Sequence, residues 1–214
     1  MPPQPSRSVR ISDDERSGWS SDRPRRPGEP ERPARPADVS VRGRVLAPSD
    51  VLRYSPGSLL LVASADHDGR DRFTGRVLAD PGMLFSRDKV RSLLAGRVPA
   101  EELEAKTQAL LDAAATKRLA AGQTVVVALD GLDADEREHY VRLAAAHRRP
   151  RHLILVETAR DLVADEDRAA VAGLRTALDA GELGAEGFNT SLRLGGRTIT
   201  ELKRIVFAPP PATA

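Results

Sequence analysis

Short apolar runs alternate along this chain with longer segments whose apolar residues recur every three or four positions. The runs fall at Leu59–Ala63, 83–85, 124–129, 152–156, 192–194 and Arg204–Phe207. Runs that are apolar at successive positions suit strands buried on both faces, as parallel strands are. Between them the spacing predicts helices over 71–77, 88–94, 101–120, 133–146 and 165–180. The longest carries Leu103, Leu110, Leu111 and Leu119 as its apolar stripe and stops at Gly122. The segment 133–146 opens acidic and is followed by His147, Arg148 and Arg149, as a helix dipole favours. Strand and helix in alternation predict an α/β fold: a three-layer arrangement with a parallel sheet and helices on both faces.

The pattern divides the chain. Residues 1–38 are rich in Pro, Arg, Ser, Asp and Glu, with Trp19 their one large apolar group, and cannot offset the entropy of ordering. They read as a disordered Pro/Arg-rich arm, a polyampholyte whose protein partner the sequence leaves unassigned. Residues 39–57 are transitional. There VSVRGRVL alternates like a short edge strand, and Ser49 is placed to cap a turn. The folded domain is expected over 58–210.

Composition narrows the function classes. The 214 residues carry 33 Lys and Arg against 31 Asp and Glu, a balance that predicts no strong general attraction to nucleic acid. The lack of cysteine excludes disulfides, thiolate zinc sites and a cysteine nucleophile in this sequence. No run approaches a membrane span, and the first residues lack the apolar core of a secretory signal, so a cytoplasmic protein with no membrane partner is expected. His67, His139, His147 and His152 show no metal-ligand spacing. Ser64, Asp66, Asp68 and Gly69 match the start of a calcium loop, but its twelfth position is Gly75 and a strand precedes it.

In order, the strand LLLVA, the loop SADHDGRD, Phe73, the segment MLFSRDKVRSLLAG, the stretch KRLAAGQTVVVALD and the closing AEGFNTSLRL follow one path. In this order the chain resembles the kinase domain of bacterial and phage polynucleotide kinases and related P-loop kinases of the AAA-family ATPase type. The resemblance implies a degenerate Walker A loop. Ser64 stands at its first Gly, Gly69 at its second, Arg70 at the phosphate-binding Lys and Asp71 at the Mg²⁺-binding Ser/Thr. It also implies a proton-accepting role for Asp88, in Ser86-Arg87-Asp88, with Arg87 and Arg91 toward the substrate and Arg160 or Arg168 in a lid. The family's acidic residue after the third strand falls at Ala128, two positions before Asp130.

The implied activity is ATP- and Mg²⁺-dependent phosphoryl transfer to a hydroxyl of a nucleic-acid 5′ end or a small molecule. Ser64, the bulkier Arg70 and the carboxylates Asp66, Asp68 and Asp71 weaken a polyanion site, so weak or absent activity is expected. The alternative is a non-catalytic pseudokinase that binds a partner or regulates one.

Overall fold

Leu59–Ala63, with every residue buried, needs apolar cover on both faces, and the fold supplies it. The structure is a computed structural model that describes residues 51–209, apart from the Arg160 side chain. The expectations for 1–50, including the arm, the alternating VSVRGRVL segment and the Ser49 cap, lie outside the described residues.

The chain order is β1 (Val51–Tyr54), β2 (Leu59–Ala63), α1 (His67–Val77), β3 (Leu84–Ser86), α2 (Arg87–Leu94), α3 (Ala100–Ala120), β4 (Val125–Ala128) and α4 (Ala134–Ala146). It continues with β5 (Arg151–Val156), α5 (Arg168–Ala180), β6 (Thr190–Leu194), α6 (Arg197–Glu201) and β7 (Arg204–Phe207), with short 3-10 turns between. Five strands form one sheet in the order β3-β4-β2-β5-β6, every neighbouring pair parallel. This is the parallel sheet the apolar runs predict.

Alternate residues divide the core. Leu59, Leu61 and Ala63 share one cluster with Val125, Val127, Leu153 and Leu155, covered by Leu119 of α3, Tyr140 of α4 and Leu174 of α5. Leu60 and Val62 point the other way and meet Phe73 and Val77 of α1, Leu202, and Ile205 of β7. Burial pushes the Tyr140 hydroxyl up to about 12.

Two features depart from the sequence pattern. β7 does not extend the main sheet; it pairs in parallel with β1, a strand not expected at 51–54, as a separate two-stranded sheet. α1 begins at His67, four residues before the expected start, because the Asp66 side chain caps it.

Neighbouring strands β2 and β5 lead to opposite sides of the sheet, β2 to β3 and β5 to β6. Their carboxyl ends therefore flank a switch point, where open α/β sheets place ligands.

Candidate functional site

Three residues, Ser64, Ala65 and Asp66, join β2 to α1. Ser64 is buried. Its Oγ lies 3.2 Å from Thr158 Oγ1, just beyond β5, and accepts the Asp66 backbone N–H at 3.2 Å. Asp66 Oδ1 accepts the Gly69 N–H at 2.8 Å, and the Asp66 carbonyl accepts the Arg70 N–H at 2.9 Å. A Cβ added at Gly69 would sit 2.2 Å from Asp66 Oδ2, so the glycine makes room for this carboxylate.

Helix N-termini attract anions because their first N–H groups lack partners and the helix dipole is positive there. Here that anion is the chain's own Asp66. A phosphate-wrapping loop needs the residues between its two glycine positions free to curl around the ligand. His67 and Asp68, in that stretch, are already helical.

Arg70 is fully buried, with 0% of its side chain exposed. Nη1 donates to the Leu129 carbonyl past the end of β4, Nε donates to Asp71 Oδ1 at 2.9 Å, and Nη2 has no hydrogen-bond partner. The guanidinium thus points into the seam between α1 and β4, and Asp71 pairs with it. With Asp66 over the helix end and Arg70 turned inward, these residues do not fit a wrapped triphosphate. Among the described residues no group of three or more His, Cys, Asp or Glu stands together to hold a metal.

The second candidate cluster starts at β3. Ser86 occupies the cap position of α2, and Asp88 lies in the first turn rather than at the cap. Asp71, Ser86 and Asp88 line one open cleft with Lys89, Ser92 and Leu93, so two of the predicted carboxylates are brought together. The arginines are engaged elsewhere. Asp88 Oδ1 pairs with Arg91 Nη1 at 2.9 Å, and Arg91 grips Glu104 of α3 through Nε at 2.7 Å and Nη2 at 3.2 Å. That grip, chiefly its hydrogen bond, holds Glu104 below the usual carboxylate range and raises Arg91. Arg87 Nε lies 2.8 Å from Asp130 Oδ2 as an ion pair without hydrogen-bond alignment, while Nη2 donates to Gln108 and Nη1 is 3.6 Å from Glu104. Asp130 therefore answers Arg87.

The polar contacts continue past the predicted residues. Gln108 donates to Asp112 Oδ1 at 2.8 Å, and His139 Nε2 sits 2.8 Å from the same oxygen. Gln108, Asp112 and His139 belong to no local motif, because the fold joins them from two helices.

Arg168 is exposed and pairs with Asp165 at 2.8 Å. It lines a groove with Arg175 and Val171, apart from the cleft of Asp71 and Asp88 and from that of Ser64 and Gly69. Ser64 and Gly69, by contrast, share the switch-point cleft with Glu157 and Thr158, which sequence reasoning did not single out. A serine two residues before a capping Asp carries a turn signal, but its partner Thr158 is distant in sequence.

The described residues define an α/β protein with a five-stranded parallel sheet, a fold compatible with a P-loop kinase-like domain. No protein-family model matches the chain and no curated protein matches it.

Proposed function

We propose that this chain is a P-loop kinase-like protein of polynucleotide-kinase type in which the phosphate site is closed by the chain itself, and that it serves as a non-catalytic binding or regulatory module. The order of its apolar segments, the parallel sheet and the position of the loop after β2 support the ancestry. The Asp66 carboxylate on the Gly69 N–H carries the functional half, because it puts a negative charge where the first phosphate would lie.

The test is thermal stabilisation by Mg²⁺-ATP. A ligand at one hundred times its dissociation constant adds about 2.7 kcal/mol to stability. The chain is expected to show no shift at millimolar Mg²⁺-ATP, and a clear shift overturns the reading. Replacing Asp66 and Ser64 by Gly, Arg70 by Lys and Asp71 by Ser together is expected to create nucleotide binding.

The second reading is ATP-dependent transfer to a hydroxyl, favoured by Asp71 and Asp88 lining one cleft. In it Asp88 takes the proton of the acceptor hydroxyl. Transfer of label from ATP to an oligonucleotide 5′ end or a small polyol, lost in Asp88→Asn, would establish it.

A further inference from the structure

The cleft at the β2/β5 switch point has a volume of about 410 Å³, within the range of small-molecule sites. Its lining offers the hydroxyls of Thr158 and Thr200, the carboxylates of Asp66 and Glu157, and an apolar side formed by Phe73 and Ile199.

Charge decides what such a cleft accepts. Glu157 is matched in charge by two arginines, its Oε1 lying 3.0 Å from Arg175 Nε and 3.5 Å from Arg193 Nε. Arg76, also in the lining, donates Nη1 to the Leu202 carbonyl at 2.6 Å and Nη2 to the Ile199 carbonyl. Asp66 has the weaker counter-charge: Oδ1 holds the Gly69 N–H, while Oδ2 has one exposed arginine, Arg72, at 3.7 Å. An anionic ligand meets the Asp66 carboxylate. A cationic one meets Arg72 and Arg76. An uncharged ligand that donates hydroxyl hydrogens avoids both repulsions, and a carboxylate is the group that α/β sites use to hold ribose hydroxyls.

We propose that this cleft binds an unphosphorylated vicinal diol, from a free sugar or a nucleoside, through Asp66 Oδ2, with Thr158 and Thr200 completing the hydrogen bonds. The assignment rests on the reading that the phosphate site is closed.

Calorimetric titration of the full chain with D-ribose, adenosine, 2′,3′-dideoxyadenosine and Mg²⁺-ATP tests it. Ribose and adenosine distinguish a free sugar from a nucleoside, and at least one is expected to bind at millimolar concentration or below. Asp66→Asn keeps a capping side chain but removes the charge, and is expected to weaken the binding diol by about tenfold; Thr158→Val is expected to weaken it several-fold. If adenosine binds, the dideoxy analogue and ATP are expected to bind about tenfold more weakly or worse. Diol binding unchanged by Asp66→Asn, or equal binding of adenosine and its dideoxy analogue, overturns the proposal. Binding by none of the four overturns it while leaving the closed-site reading standing. ATP binding as tight as that of adenosine overturns both.

Discussion

Arg70 Nη1 donates to the carbonyl of Leu129, and so the first turn of α1 is pinned to the end of β4 from within. A lysine cannot reproduce this. Its single ammonium lacks the fork that serves the Leu129 carbonyl and Asp71 together. Arg70→Lys is expected to destabilise the fold by about 2 kcal/mol in urea titration, and to give no Mg²⁺-ATP stabilisation. Unchanged stability would show that the guanidinium anchors nothing.

Asp66 and Gly69 are expected to be energetically coupled. Gly69→Ala gains helix propensity, up to about 1 kcal/mol, but its Cβ displaces the capping carboxylate, which costs about as much. Alone it is expected to be near neutral. In an Asp66→Ala background, where the cap is already gone, it is expected to stabilise by about 1 kcal/mol. A double-mutant cycle with no coupling energy would show that Asp66 does not occupy the helix end.

His152 makes stability depend on pH. Its ring lies 4.4 Å from the Tyr54 ring, Nδ1 is 2.8 Å from Thr190 Oγ1, and Nε2 is buried without a partner. Burial, with a smaller contribution from Arg151, pushes it down to about 4 from 6.5. The unfolded chain therefore binds the proton more readily. The stabilisation from the neutral ring is complete above about pH 6.5 and is lost as pH falls toward 4, at most about 3 kcal/mol. Urea midpoints at pH 7 and pH 5 are expected to differ for the native chain, and less so for His152→Gln.

Arg87 and Arg91 both strap α2 to α3, with unequal consequences. Arg87 is three-quarters buried and serves Asp130, Gln108 and Glu104, so Arg87→Ala is expected to cost about 1 to 2 kcal/mol. Arg91 pairs at the surface, where salt screens the charges, and Arg91→Ala is expected to leave the urea midpoint nearly unchanged at physiological salt. Equal losses would place Arg91 in a tighter setting than its contacts suggest.

The centre of the main sheet was legible because β2 and β4 are apolar at every position and β5 over its last four, a pattern that a parallel strand under two layers of cover imposes. β1 was not, since no fully buried residue marks it and its partner lies at the other end of the described chain. The start of α1 was obscured for a different reason. Asp66-His67-Asp68-Gly69 is a capping sequence, but the same letters fill the phosphate-loop register, and the helical choice follows from where the carboxylate turns. The site was legible as a set of positions. The inward turn of Arg70 was not, because a charged side chain is expected outside unless its partners are known. Those partners, a backbone carbonyl and a neighbouring carboxylate, emerge only with the fold.

The pairing of β1 with β7 joins residues about 150 positions apart, from Val51 opposite Arg204 to Tyr54 opposite Phe207. Closing so long a loop carries an entropy cost that only finished packing repays. This two-stranded clasp is thus expected to lock late in folding and to release early. Tyr54 rests on the His152 ring, which β5 of the main sheet carries, so protonating that ring is expected to loosen the clasp along with the β5–β6 edge around Thr190. In hydrogen exchange, corrected for the intrinsic pH dependence of the amides, acidification is expected to cost 51–54 and 204–207 their protection while Leu59–Ala63 keep theirs.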